Sequence, residues 1–394
     1  MLTHRGVGLL AGAVSCLVAG RLVGIPALDV VGIAALGLLA VALLAVFRRP
    51  PLVVARPEHL PVVDHGDPID VRITLRNSGR LAMGSLLLTD TTPGDLHTGA
   101  TATLRGLDAG RQVPLSYRAI GRRRGRHEFG PLTATLTDPM TLARRPVALP
   151  GASRVLVLPR RVALPRGPRP VAGRVPGDQG AGTPRPFGDD VGMIREYVIG
   201  DDLRRIHWPA TAHRGGLMVR QPESRQRQRG VVLLDRRPST GFELVVEAAA
   251  SIGAAWDGLG ASVQVVDDPR DMEVSRLPWE VQLERLATVE PEEGWDLQSL
   301  TALLAGGAAG SGTLVVVSGD PVGLPDTLQR LGRHFDTRIV VMVESGSTAV
   351  TRNTAAATAA ALRWRVVRIE RLEDLPAAWE DAGRPHRLAT TAGA

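Results

Sequence analysis

Two stretches of this chain bring together residue types that can do chemistry. In the first, the apolar run Val231-Val232-Leu233-Leu234 ends in Asp235, followed at once by Arg236 and Arg237. A later apolar run, 313–318, ends in Ser318-Gly319-Asp320. Carboxylates and hydroxyls beside guanidiniums form charge-assisted hydrogen bonds, either with one another or with a partner's carboxylate. The second stretch, Arg195-Glu196-Tyr197-Val198-Ile199-Gly200-Asp201-Asp202-Leu203-Arg204-Arg205-Ile206-His207-Trp208, is dense in charge and aromatic surface. Gly200 permits a sharp turn, and Asp201 is placed to cap a helix predicted from Asp202. Leu203 and Ile206 give that helix one buried stripe, with Arg204 and Arg205 outside it. His207 is a candidate general base, yet no Ser, Cys or second acid stands at a matching spacing. Packing and hydrogen bonding where the connector docks on the sheet are the simpler roles for it. Glu196, Asp201 and Asp202 are candidate metal ligands, but Arg195, Arg204 and Arg205 neutralise them locally, so an ion-pair network with capping is the simpler account.

The elements that position the first group are a run of apolar strands alternating with helices. Strands are predicted at 231–235, 263–267, 313–318, 338–343 and 364–369, with helices at 242–259, 278–288, 296–305, 324–335 and 354–362. Continuous apolar strands with helices between them predict a mostly parallel, doubly wound sheet covered on both faces. Ligands of such sheets bind at the carboxyl ends of the strands, which puts Asp235 and the Ser318-Gly319-Asp320 turn at the functional edge.

Upstream, residues 52–150 alternate and turn like an all-β unit, with Ile69-Asp70-Val71-Arg72-Ile73-Thr74-Leu75-Arg76 the clearest period-two strand. Further strands at 85–90, 113–118 and 132–136 predict a small β-sandwich. The cluster Arg122-Arg123-Arg124-Gly125-Arg126 reads either as an attraction for anionic headgroups or as a solvated hairpin. From Pro159 to Pro186 the chain is rich in Pro, Gly and Arg, as an extended semi-stiff connector is.

At the front, Gly6 to Gly20 and Val30 to Phe47 are uncharged runs separated by Gly24, Ile25, Pro26 and Asp29. They predict two membrane-crossing helices joined by a tight turn, since a cleaved secretory signal would not need a second apolar helix directly behind it. His4, Arg5, Arg48 and Arg49 flank the hairpin against Arg21 alone in the turn, so the positive-inside bias places the soluble parts in the cytoplasm, on the inner face of the plasma membrane. The organisation is thus multidomain: hairpin 1–49, β-sandwich-like module 50–158, connector 159–190, α/β domain with the Arg195–Trp208 motif 191–382, and a disordered tail 383–394.

Arg-Glu-Tyr-x-x-Gly-Asp-Asp-x-Arg-x-Ile-x-Trp, followed by Ala210-Thr211-Ala212 and Leu217-Met218-Val219-Arg220, resembles the signature of the domain-of-unknown-function 58 family. Arg123-Arg124-Gly125 with Phe129-Gly130-Pro131, and Asp138-Pro139-Met140-Thr141-Leu142, resemble its upstream patterns. Pro209 and His213 depart from it, standing where Lys and Arg are usual. The resemblance implies that the α/β domain is von Willebrand factor A-like, a Rossmann-type layout. It also implies partner-binding roles for Arg195, Glu196, Tyr197, Gly200, Asp201, Asp202, Arg204, Ile206, His207, Trp208 and Arg220. Domains of that type often hold a divalent cation on Asp-x-Ser-x-Ser after the first strand, with further oxygens from later loops. Only Asp235 and Ser239 fit that motif here, with Asp320 as a further oxygen, which makes Mg²⁺ the candidate cofactor. Arg237 stands where the first Ser would be, and two guanidiniums beside the site repel a cation. The family is commonly encoded beside MoxR-type AAA ATPases, which implies such an ATPase as a protein partner.

Bulk composition removes some alternatives. The 394-residue chain carries +7, but its basic residues are all Arg and aromatics are only 3%, so the charge does not point to nucleic acid. The sole cysteine, Cys16, excludes an intrachain disulfide and a Cys-based zinc site. Cys16 lacks the Leu three positions earlier that a lipoprotein acceptor wants, and reads as a small hydrophobe inside a helix. No Gly-rich phosphate loop or dinucleotide fingerprint occurs. The expectation is a non-enzymatic, membrane-anchored scaffold. The alternatives are a divalent-metal-dependent envelope enzyme on Asp235, Ser239 and Asp320, and an exported adhesin-like receptor.

Overall fold

The computed structural model describes residues 1–48, 50–94, 100–171, 194–197, 206–220, 228–268, 277–307, 312–344 and 349–384. The chain divides into two compact units, Met1–Arg160 with Leu283–Val289, and Arg161–Gln282 with Glu290–Ala394.

The first unit opens with helices α1 (His4–Val23) and α2 (Pro26–Phe47), both long and apolar enough to cross a membrane. Thr3 Oγ1 accepts from Gly6 N to cap α1, Gly24 ends it at φ 74°, and Pro26 starts α2 with a preset φ. The buried positions Gly6, Ala13 and Gly20 recur every seven residues on α1, as do Gly32, Leu39 and Val46 on α2. In the middle of the hairpin these positions bring the two helices together, while Gly6 lies against Leu142 and Val46 joins the core of the β module. A Cβ on Gly32 would stand 2.6 Å from Leu17 Cγ and 3.0 Å from Ala13 O, so the small residues set a close helix approach.

Nine strands follow among the described residues: β1 (Leu52–Ala55), β2 (Pro68–Asn77), β3 (Leu86–Asp90), β4 (Thr101–Leu104), β5 (Gln112–Ile120), β6 (Gly125–Phe129), β7 (Leu132–Thr137), β8 (Arg144–Leu149) and β9 (Ser153–Val157). They form antiparallel sheets of order β1-β2-β5, β4-β3-β7-β8 and β6-β9. Along β2 every second residue is buried, and Ile69, Val71, Ile73 and Leu75 meet Leu86, Leu88, Leu132 and Ala134 in one shared core. Period-two sequence therefore becomes two sheets closing over an apolar centre. The Arg122–Arg124 turn lies beyond Ile120, which pairs with Pro68, while Asn77 at the other end of β2 pairs with Leu52 just after α2. β2 is 10 residues long, about 30 Å, so this cluster sits at the end of the module away from the hairpin, and its headgroup reading fails on distance.

In the second unit, β12 (Arg229–Leu234), α4 (Phe242–Gly258), β13 (Ser262–Val266), α5 (Trp279–Thr288, whose residues from Leu283 on belong to the first unit), α6 (Leu297–Gly307), β14 (Thr313–Ser318), α7 (Leu324–Leu331), β15 (Thr337–Val343), α8 (Ala349–Ala361), β16 (Arg365–Ile369) and α9 (Leu375–Gly383) alternate along the chain. They are preceded by β10 (Ile194–Glu196), α3 (Trp208–Arg214) and β11 (Met218–Arg220). The sheet is parallel throughout, in the order β13-β12-β14-β15-β16. The residues of β12 and β14 are all buried, as strands covered on both faces must be. Gly230 leaves room for the Trp256 ring to lie against β12. The described part of the connector, 161–171, is extended and runs over this unit as a strap. Val162 N donates to Ser251 Oγ at 3.1 Å, Trp256 Nε1 to Pro168 O at 3.0 Å, and Val171 N to Thr313 Oγ1 at 3.1 Å.

Candidate functional site

The first two strands of the parallel sheet, β12 and β13, lie side by side, and the chain then crosses to place β14 on the other side of β12. The carboxyl ends of β12 and β14 therefore flank the switch point of the sheet, where crossover connections leave in opposite directions and open a crevice. Asp235 follows β12 there, and Ser318-Gly319-Asp320 follows β14. Asp235 N donates to Val317 O at 3.0 Å, so the aspartate is held as a last rung of the sheet.

Arg237 closes the space between these two ends. Its backbone N–H donates to Asp235 Oδ1 at 3.1 Å, a local turn that folds the side chain back over the strand end. Its Nε donates to Asp235 Oδ1 at 3.0 Å, and Nη2 donates to Asp235 Oδ2 at 2.6 Å and to Asp320 O at 2.9 Å. Nη1 donates to Val322 O and lies 3.0 Å from Asp320 Oδ2. A guanidinium has five N–H groups in a planar fork, and here four of them donate, while the charge also faces Asp320 Oδ2. Burial works against the charge on Arg237, but the hydrogen bonds and charge of Asp235, with the charge of Asp320, outweigh it and hold the group above its ordinary range. Ser318, also buried, places Oγ 2.6 Å from Asp235 Oδ2, to which it donates, and accepts from Asp320 N at 3.1 Å. Arg236 turns the other way, with Nη2 3.0 Å from Glu292 Oε2 and Nη1 3.9 Å from Asp267 Oδ2.

In this arrangement Asp235 and Asp320, two of the three oxygens read as a divalent-cation set with Ser239, are turned toward a guanidinium. Both oxygens of Asp235 are engaged by Arg237 and Ser318. Asp320 Oδ1 accepts from Val322 N at 3.0 Å while Oδ2 faces the guanidinium. Ser239 Oγ is buried without a hydrogen-bond partner next to Gly319, whose missing side chain makes the room for it. The cation between the two acids is supplied by the chain itself. Among the described residues, no group of three or more His, Cys, Asp or Glu is placed to hold a metal.

The Arg195–Trp208 motif is described at its two ends only. Gly200, Asp201, Asp202 and Arg204, with the helix predicted from Asp202, lie outside the described residues. Arg195 and Glu196 belong to β10, paired with β11, where Arg220 faces Ile194 across the register. Tyr197 N donates to Leu217 O, and Ile206 bridges to Val219. His207 is the N-cap of α3: its Nδ1 accepts from Ala210 N at 3.1 Å, and its backbone N–H donates to Met218 O. This spends the imidazole on structure. Trp208 begins α3 and is 66% exposed.

Sequence reasoning missed a third polar site, inside the β module. Arg56 donates through Nη1 and Nη2 to the two oxygens of Asp90, both at 3.0 Å, and through Nε to Ser153 Oγ at 2.9 Å. The side chains of Arg56 and Asp90 are 2% and 1% exposed. Tyr117 donates its hydroxyl to Asp90 Oδ2, and burial followed by this bond pushes the phenol well above its ordinary range. No alternation or spacing marks this trio in the sequence.

Residues 193–344 match the model of a family described as protein of unknown function DUF58. No curated protein matches the chain. Among solved structures, the chain is similar to the CARDB domain of a Pyrococcus furiosus protein, at 19% identity over 28% of this chain and 96% of that one, with a TM-score of 0.20. It is similar to a PapD-like domain of human CEP192 at 10% identity over 28% of this chain and 90% of that one, with a TM-score of 0.21. With Salmonella alpha-2-macroglobulin it shares 16% identity over 31% of this chain and 7% of that one, with a TM-score of 0.22.

Proposed function

Since its residues 193–344 belong to the DUF58 family, we propose that this chain is a membrane-anchored, non-enzymatic adaptor. Its α/β unit, which we read as von Willebrand factor A-like, docks a protein partner at the carboxyl edge of the parallel sheet. The observation that carries this reading is the Arg237 bridge. At the switch point, where a sheet of this kind places its ligand, the charges are already satisfied within the chain, and the carboxylate beside the Ser318 hydroxyl is occupied by Arg237. Such an edge offers shape and a fixed hydrogen-bond pattern to a partner surface, not a reactive centre. Val322, 63% exposed on the loop whose carbonyl accepts from Arg237, is the apolar point a partner would cover. The proposed partner is a MoxR-type AAA ATPase, and we read the complex as lying at the plasma membrane with both units facing the cytoplasm, on the two apolar helices and the arginines that flank them.

The test is capture of partners by the detergent-solubilised full chain, with ATP and Mg²⁺ or with EDTA. An ATPase is expected to be retained by the unaltered chain and lost from Val322→Arg at unchanged melting temperature. Retention by Val322→Arg would remove the edge from the account. A divalent-metal enzyme working through Asp235, Ser239 and Asp320 predicts instead a metal-dependent turnover that Asp320→Asn abolishes. The proposed topology also requires that protease added outside intact cells leave both units uncut.

A further inference from the structure

The end of the β module from which the helices emerge has features that the anchor alone does not require. The turn between β7 and β8, Asp138-Pro139-Met140-Thr141-Leu142, is fastened to the helices. Thr3 Oγ1 donates to Thr141 O at 2.5 Å, Leu2 bridges to Ala143, and Arg5 Nη1 donates to Thr141 Oγ1 at 3.1 Å. Leu142 is buried against Leu39 and Ala42 of α2, with Leu9 and Leu10 of α1 beside it. Ala42 stands five residues before the end of α2, about 7 Å along its axis. The 22 residues of α2 span about 33 Å, close to the hydrocarbon thickness of a bilayer. A turn packed one to two helical turns inside that length reaches just past the headgroups into the acyl boundary.

The neighbouring loops are tied to the same end. Ser78 N donates to Pro51 O at 2.7 Å, and Asn77 Nδ2 donates to Leu81 O at 2.9 Å and to Leu107 O at 3.0 Å. Their side chains match a membrane interface. Leu81 and Met140 are 75% and 55% exposed. Arg48, Arg80, Arg105 and Arg144 are exposed and, among the described residues, form no ion pair. The acids at this end are spoken for. Asp108 pairs with Arg111 at 3.2 Å, and buried Asp138 accepts from Met140 N and Ala143 N of its own turn. Arg145 lies over the Phe47 ring at 5.2 Å and donates to Phe47 O, the arrangement of an interfacial anchor.

We infer that this end of the β module is itself a lipid-binding surface: Arg80, Arg105 and Arg144 engage anionic phospholipid headgroups while Leu81 and Met140 enter the acyl boundary. The inference rests on the membrane-anchored reading above. It makes the hairpin and the module one membrane-bound body, with arginines drawn to phosphate and exposed apolar side chains removed from water. The module is then held against the bilayer by its own surface as well as by its tether.

The test uses the full chain in lipid nanodiscs, neutral or containing phosphatidylglycerol, with a fraction of lipids carrying a nitroxide quencher near the headgroup. A fluorophore is placed by Leu81→Cys or Met140→Cys in a Cys16→Ala background, with Val62→Cys, at the opposite end of the module, as the comparison. Expected is several-fold stronger quenching at positions 81 and 140 than at 62 in anionic discs, and its loss in the Arg80→Glu, Arg105→Glu, Arg144→Glu variant. Quenching at 81 and 140 no stronger than at 62 would overturn the inference. So would equal quenching in neutral and anionic discs that the charge reversal leaves unchanged. A label on native Cys16 in the otherwise unaltered chain, with the quencher at the bilayer centre, separates the two readings. No quenching there sinks the anchor itself, whereas quenching at Cys16 without quenching at 81 and 140 sinks only the lipid surface.

Discussion

In each unit an arginine grips a buried aspartate through both carboxylate oxygens, and the two pairs, Arg56–Asp90 and Arg237–Asp235, differ in what surrounds them. Arg56 and Asp90 are enclosed on every side, with Tyr117 and Ser153 completing the hydrogen bonds. Arg237 is 18% exposed while Asp235 is 1% exposed, and the rest of its fork is bound by loop carbonyls and by the more open Asp320. The enclosed pair ties β1 to the end of β3 across the module and has no surface to offer. The edge pair joins the ends of two adjacent parallel strands at the point where such sheets meet their ligands. Similar chemistry is therefore fully enclosed in one place and forms the floor of the proposed docking edge in the other, and burial of the guanidinium separates the two.

The sharpest way to break this comparison is to remove one partner of the enclosed pair. Arg56→Met leaves Asp90 buried without its counter-charge and is expected to cost about 3–5 kcal/mol, read as a lowered melting transition of the first unit. A change within about 0.5 kcal/mol would show that the pair braces nothing. Arg237→Ser, at the more open site, is expected to cost about 2 kcal/mol. It also leaves Asp235, Ser239, Ser318 and Asp320 as hard oxygens with no cation between them, so Mn²⁺ is expected to raise the melting temperature of this variant and not of the unaltered chain. An equal Mn²⁺ shift in both would mean that the guanidinium does not fill the cation's place.

Tyr117→Phe removes one bond from the enclosed pair and is expected to cost about 1 kcal/mol at neutral pH. Its alkaline behaviour has a definite sign. Because the folded phenol is held above its ordinary value, the folded state binds more protons than the unfolded state once pH passes that value. Stability therefore falls as pH climbs above about 10, and this step is absent in Tyr117→Phe. Identical alkaline denaturation profiles would contradict it. Trp208→Ala has the smallest expected effect, within about 0.5 kcal/mol, because the ring is solvent-facing. Capture of the partner by this variant then asks whether the exposed ring acts outside the fold.

The parallel unit was legible in the sequence because strands covered on both faces need apolar residues at every position. The runs at 231, 263, 313, 338 and 364 each became a strand. Helix ends drifted: α7 stops at Leu331 before Gly332, and α8 starts at Ala349, ahead of its clearest apolar spacing. The β module was half legible. Strands β2, β3, β5 and β7 alternate cleanly, whereas β6 and β8 read as Gly-Arg-His-Glu-Phe and Arg-Arg-Pro-Val-Ala-Leu, where one solvated face dilutes the pattern. The carboxylates of the edge could be placed because strand ends follow from strand positions. The direction of Arg237 could not, since an arginine beside an acid serves an internal bridge as readily as an outside partner, and the turn at Asp235 decides. Arg56 and Asp90, 34 residues apart on different strands, leave no local trace at all.

The strap 161–171 shifts the folding boundary of the second unit well upstream of the family match that begins at 193. Gly167 lies against the indole of Trp379, which in turn stands 6.1 Å from Trp256, so the strap roofs two tryptophans at once. A fragment started at 193 would uncover both rings and leave Trp256 Nε1 and Ser251 Oγ without their bonds to Pro168 and Val162. Such a fragment would expose a sticky apolar patch and precipitate, whereas one started at 161 would carry its own roof and stay in solution.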